Sequence, residues 1–309
     1  MLQRYSVSGG RIVQGAEGSI PVEVYVMPDS AEREHLISDY GMDEHTITSS
    51  IDPGETPRIE FEDNHTAIIL KYPKNYSAED NFFFRVKSMG RFAFSNRIVI
   101  ILDEYVPLFN GRIASNVYSV QDVIMKTLLL TIRHFESHLR VINMCSDELE
   151  QAIVSSHDGK ELINMFTLEK GLVYYVNALS GNRRVIERIL AAAPRLGFTP
   201  EHIELLEDIG IENRQFLDQA QVYSQVLSGM MDARASIINN NLNVMMKNMN
   251  AIAIAIAVPT FVASVGGMSE FSVMTGKNYL LTYSLFTMAM VFLGVVTFIV
   301  TKFFVRKSK

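Results

Sequence analysis

One cysteine, Cys145, stands in 309 residues, which excludes an intramolecular disulfide and cannot by itself build a thiolate metal site. That scarcity fits a reducing compartment. Positive charge is also in short supply: 28 Lys and Arg stand against 34 Asp and Glu, with a net charge of −6 and a pI near 5.7. This balance argues against a nucleic-acid partner, and an acidic body instead raises the local concentration of cations. A phosphate-binding glycine loop, a nucleophile elbow and a dinucleotide fingerprint are all missing, which argues against an ATP-driven pump and against an enzyme. The segment Met1 to Gly10 lacks the apolar core of a secretory signal, so the body of the protein is expected in the cytosol. Membrane-length apolar runs are absent from everything before Asn239.

Two such runs then appear, Met249 to Met268 and Tyr279 to Phe304. Each is long enough to cross a hydrocarbon core of roughly 30 Å at about 1.5 Å per residue. A single helical hairpin leaves little protein to line a path through a membrane, so transport by this chain requires several copies around one axis. Lys302, Arg306, Lys307 and Lys309 crowd the end of the second run, while the loop from Ser269 to Asn278 offers Lys277 against Glu270. The expectation is a two-span protein of the cell (inner) membrane with both termini cytoplasmic.

Along the body, short β-rich runs come first. Val22 to Val26 alternates, Ala67 to Leu70 and Ile98 to Leu102 are compact and β-branched, and Ser30 to Tyr40 reads as a helix capped by Asp29 or Ser30. The expected fold is therefore an α+β cytosolic domain with helices on a mixed sheet. Val123, Leu130, Phe135, Leu139 and Ile142 then make a helical stripe, with a turn at His157, Asp158 and Gly159. Thr199 caps a further helix that opens on Pro200 and meets no other proline until Pro259; continuous to Met268, it would be roughly 100 Å long. Ile209, Phe216, Tyr223, Met230 and Ile237 recur every seven residues along it, the repeat of a helix buried against partners. The Ala-Ile alternation from Ala251 to Ala257 looks like a strand, but an unpaired strand in lipid leaves its backbone unsatisfied, so a helix is expected there too. The expected divisions are an N-terminal α/β domain over 1–112, a helical segment over 113–198, and a stalk helix running into the first span over 199–268. A loop over 269–278, a second span over 279–304 and a basic tail over 305–309 complete the chain. His134 and His138, four apart with no third ligand beside them, read as a surface helix face and not as a zinc site.

The stretch from Asn243 through Ser269, ending PTFVASVGGMS, together with the second run and the basic tail, resembles the CorA family of magnesium channels. In that family a Gly-Met-Asn triplet closes the first membrane helix. The SGMMD run, Ser228 to Asp232, is similar to a family Ser-Gly-Leu-Leu-Asp segment, and PRIEFED, Pro57 to Asp63, is similar to the segment leading into a family strand. Gly267 and Met268 match the triplet, and Ser269 stands where the family has Asn.

The resemblance implies a homopentamer in lipid, with a funnel of long helices and two C-terminal transmembrane helices per chain. Its pore face would include Asn243, Met246, Met249, Ala253, Ala257, Thr260 and Ser264, and its mouth Gly267, Met268, Ser269 and Glu270. The alternative for this face is ordinary helix packing, since small and polar residues also mark membrane-helix contacts. Asp63 and Asp208 occupy the positions that hold a regulatory cation between subunits in the family. The implied function is passive transport of Mg2+, the cation being both cargo and regulatory ligand, with no organic cofactor. Two alternatives stay open: transport of Zn2+, Co2+ or Ni2+, and a non-conducting pentameric scaffold or sensor.

Overall fold

The computed structural model describes residues 1–15, 18–110, 114–155, 160–266 and 279–307. Its elements are β1 (Leu2–Ser8), β2 (Arg11–Gln14), β3 (Pro21–Val26), α1 (Ser30–Ser38), α2 (Glu44–Ser49), β4 (Arg58–Phe61), β5 (His65–Pro73), β6 (Val86–Phe94) and β7 (Ile98–Leu102). Four long helices follow: α3 (Val120–Ser155), α4 (Lys160–Ala191), α5 (Pro200–Gly266) and α6 (Tyr279–Lys307). The expected turn at His157 to Gly159 lies outside the described residues. Contacts divide the chain into two units, Met1–Met231 and Asp232–Lys309.

In the first unit seven strands form one sheet in the order β2-β1-β3-β7-β6-β5-β4. β3 and β7 run parallel and every other pair antiparallel, so the sheet is mixed as expected. β7 is the continuous apolar run Ile98–Leu102 because both of its faces are covered. Val99 and Ile101 pack with Tyr25, Leu36, Ile47 and Phe92 on one side. Ile98, Ile100 and Leu102 pack on the other with Val123, Leu128 and Leu172. Of the two candidate caps for α1 it is Asp29 that acts: its carboxylate accepts from the Glu32 amide at 2.8 Å, and Glu32 accepts from the Asp29 amide at 3.1 Å.

Two buried polar side chains tie the helices to the sheet. Asn182 of α4 accepts from the Lys71 amide at 2.9 Å and donates to the Lys71 carbonyl at 2.8 Å, which satisfies β5 beyond the last residue paired with β4. Arg91 of β6 is fully buried and donates to Thr127 Oγ1 at 3.0 Å and to Thr131 Oγ1 at 2.5 Å on α3. Burial lowers its guanidinium pKa to about 9.

The two histidines of α3 are not on a surface face, which corrects the expectation. His138 is 7% exposed, its Nδ1 is 2.7 Å from the Tyr175 hydroxyl of α4, and its ring meets that of His134 edge to face at 4.7 Å. The buried stripe of α3 is wide enough to take in position 138, three residues beyond Phe135, and Tyr175 supplies the polar partner. Burial, helped by His134, pushes the His138 imidazole down to about 4. Its folded pKa thus lies below the ordinary 6.5, so its contribution to stability is complete above about pH 6.5 and is lost as the pH falls toward 4. The loss amounts to about 3 kcal/mol at about 1.4 kcal/mol per pKa unit. Urea unfolding of the full chain in detergent from pH 7 to pH 4 should show this slope, and His138→Phe should flatten it; an equal slope in both proteins would place the acid sensitivity elsewhere.

α5 opens on Pro200, with Thr199 Oγ1 accepting from the His202 amide at 3.4 Å. His202 Nε2 lies 2.8 Å from Asp122 Oδ1, which anchors the start of α5 to the start of α3. The seven-residue repeat is buried only in part: Ile209 and Phe216 are in the core, Tyr223 and Met230 are half-buried, and Ile237 is exposed. The helix continues through Pro259 to Gly266.

In the second unit α5 and α6 approach each other where Gly294 faces Ala255 and Pro259. Ala251 is 4% exposed, and Ala255, Pro259, Val262 and Ala263 are half-buried. Phe286, Met290, Leu293, Gly294 and Thr297 are half-buried on α6. A Cβ added at Gly294 would sit 3.4 Å from both the Ala255 carbonyl oxygen and Pro259 Cγ, so glycine lets the backbones come close. Two stretches, Pro200–Ser264 and Ser284–Phe303, are helical and contain windows apolar enough to cross a membrane; within the chain those windows are 6% and 0% buried. A core helix of a soluble protein would be largely covered, so this surface calls for lipid or further chains.

Candidate ion pathway and regulatory cation site

Between Asp232 and Gly266 the sequence contains no Asp, Glu or His, and Arg234 and Lys247 are the basic residues. The donors it offers to a cation are therefore amides, hydroxyls and thioethers. With about 100° of rotation per residue, Met246, Met249, Ala253, Ala257, Thr260 and Ser264 fall in a fan of about 80°, with Asn243 about 40° beyond its edge. Ala251, Ala255, Pro259 and Val262, the face that meets α6, centre about 170° away. Every member of the stripe is exposed within the chain, Asn243 included. The face expected to line a pore is thus the one that α6 leaves uncovered.

Thr260 is the polar centre of that stripe. Its Oγ1 donates to the Ile256 carbonyl at 2.7 Å, one turn back along the helix. With its proton so committed, the hydroxyl turns lone pairs outward, the polarity a hydrated cation requires. Gly267, Met268, Ser269 and Glu270, the expected mouth, lie outside the described residues.

Asp63 sits in the turn between β4 and β5 and Asp208 on α5, both exposed. The structure does not bring them into one metal-binding group: among the described residues of a single chain, no three His, Cys, Asp or Glu are placed to hold an ion. Asp63 borders a cavity of about 340 Å³ whose lining includes Glu62, His65, Gln121 and Arg195. Arg195 lies over the Phe61 ring at 4.3 Å, and burial lowers the His65 pKa. Sequence reasoning missed this setting. Glu62, the neighbour of Asp63 in EFED, was its one visible sign; His65 and Arg195 come from positions whose proximity only the fold creates. Gly294 was also missed, although a lone glycine in a run of large apolar residues marks a close helix contact.

The sequence model of the family described as CorA-like Mg2+ transporter protein matches residues 24–306. The cobalt/magnesium transport protein CorA of Methanocaldococcus jannaschii is 24% identical over 259 residues, which span 78% of this chain and 77% of that protein. The protein of the same description from Thermotoga maritima is 22% identical over 268 residues, 82% of this chain and 73% of its own. Among solved structures, the complete CorA magnesium transporter from Methanocaldococcus jannaschii is similar with a TM-score of 0.78 at 20% identity, covering 100% of this chain and 98% of that one. The fold is accordingly that of the complete transporter, soluble domain, long helix and C-terminal apolar helices together. Because the family model covers all but residues 1–23 and 307–309, the chain belongs to the CorA-like Mg2+ transporter family, whose members are divalent-cation transporters of membranes and not enzymes.

Proposed function

We propose that the protein is a passive channel for Mg2+, formed by five copies around an axis lined by the second half of α5 and gated by cytosolic cation. The observation that carries this reading is the exposed stripe opposite α6, with Thr260 presenting acceptor lone pairs from the part of α5 after Asp232, which carries no charged acceptor. Mg2+ holds its waters tightly and prefers octahedral oxygen coordination, so rings of side-chain oxygen suffice to recognise the hydrated ion without stripping it. Two charges moving down about 100 mV gain roughly 4.6 kcal/mol, which drives uptake without ATP. Met246 and Met249 supply apolar rings that close the path by dewetting. Ser269 stands at the mouth, where five short hydroxyls leave a wider opening than five amide side chains, and Glu270 beside it adds negative potential. The domain boundaries at 112, 198 and 268, both termini in the cytoplasm and residence in the inner membrane belong to the same reading.

The test is ion flux into liposomes carrying the purified protein, with Mg2+ and Co2+ first, because the curated relatives are named for those two ions. Mass in detergent is measured beside it, with five chains expected. Ser269→Asn should tighten competition by Mg2+ against a monovalent current, and Ser269→Ala should weaken it. An intact five-chain particle that passes no divalent ion would identify a scaffold or sensor; a stable monomer or dimer as the only species would sink the channel.

A further inference from the structure

The described methionines range from fully buried to largely exposed. Met42, Met89, Met125 and Met165 are core residues at 2% exposure or less, the usual place for this side chain. Met245, Met246 and Met249 are 60%, 60% and 63% exposed. Met249 follows Met245 by four residues and Met246 by three, so each pair has Cβ atoms about 5–6 Å apart and the three thioethers rise from one side of the helix. Lys247 lies about 160° round from Met245 and Met249, which turns its charge away from the sulfurs.

From this arrangement we infer that Met245, Met246 and Met249 form a thioether site for a soft monovalent cation, Cu+ or Ag+. Neutral, polarisable sulfur is a ligand that such ions select, whereas Mg2+ takes oxygen and gains nothing from it. No carboxylate on this stretch of α5 competes with the sulfurs or attracts a hard ion in their place. Leucine or isoleucine would serve an apolar constriction equally well, so the use of sulfur three times within five residues is the feature the site explains. Binding by the three side chains of one helix does not depend on the channel reading. Occlusion of the path by the bound ion does rest on it, since the triads of neighbouring copies would then converge.

Silver nitrate is the probe, titrated calorimetrically in chloride-free buffer into the full chain carrying Cys145→Ser, so that the thiol does not compete. The parent should show a class of silver sites that excess Mg2+ leaves untouched. Met249→Leu removes the partner shared by both other sulfurs at nearly constant volume and should weaken that class by at least about tenfold. Met230→Leu, on the same helix outside the triad, should leave it unchanged. The double variant Met245→Leu with Met246→Leu gives a second route to the same loss if Met249→Leu folds poorly. Equal silver affinity in the parent and in these variants would overturn the site. Flux is a separate arm: silver should block Mg2+ entry through the parent and through Met230→Leu alike, each scored against its own silver-free flux. Absence of Mg2+ flux from both proteins would count against the channel and leave the silver result standing.

Discussion

The Ala257→Phe protein is expected to reach its full oligomeric mass and pass no divalent cation. Ala257 is exposed on the stripe that faces away from α6, between Ala253 and Thr260, so a larger side chain there meets nothing within its own chain. In the proposed assembly five such rings converge on the axis, and an apolar plug of that size excludes a hydrated ion; flux should fall by at least about two orders of magnitude. The matched control is Ala255→Phe, two residues away and nearly opposite. Ala255 presents its carbonyl oxygen 3.4 Å from where a Cβ on Gly294 would lie, so bulk at this contact forces α5 and α6 apart. Overpacking of this kind costs about 1–3 kcal/mol and should appear as a lower melting temperature or loss of the assembled mass. Stopped-flow dye entry and mass in detergent separate the two effects. Normal flux through Ala257→Phe would remove this face of α5 from the ion path.

The second large effect concerns the proposed regulatory cation. Millimolar Mg2+ should protect the soluble unit of the parent from protease, and should do so far less in Asp63→Ala or Asp208→Ala. Both carboxylates are exposed, and among the described residues of one chain no three His, Cys, Asp or Glu are placed to hold an ion, so the proposed site takes one acid from each of two neighbouring copies. Apposed carboxylates repel until a cation bridges them, which makes the ion a ligand of the assembled state alone. At a concentration one hundred times its dissociation constant, such a ligand stabilises that state by about 2.7 kcal/mol, or about a hundredfold in protease protection when opening is fast relative to cleavage. Equal protection of parent and variants would show that these two acids do not hold the ion, whatever the pore does.

Much of this architecture was legible because its signals are local. The start of α1 was legible to within one residue, Asp29 or Ser30, Ile98 to Leu102 is a compact β-branched strand, and Thr199 with Pro200 marks the helix start. The stripe on α5 came from the resemblance to the CorA family, and its spacings of three and four residues place it near one helix face without knowledge of α6. What was not legible depends on contacts between distant residues. His138 reads as a surface histidine until Tyr175, 37 positions later, is placed on it. Arg91 carries no sign of burial in its own stretch of sequence, and its hydrogen-bond partners Thr127 and Thr131 lie 36 and 40 positions away. Asn182 likewise has no meaning in its own helix, since its partner is a strand backbone 111 positions earlier.

The acid-free stretch of α5 has an energetic consequence for coupling. A carrier that spends a proton gradient needs a side chain on the route that gains and loses a proton near neutral pH, and between Asp232 and Gly266 there is no histidine or carboxyl to do so. On the proposed path along that segment the membrane voltage and the ion's own gradient would move the cation, and the direction of its movement there would reverse when they do.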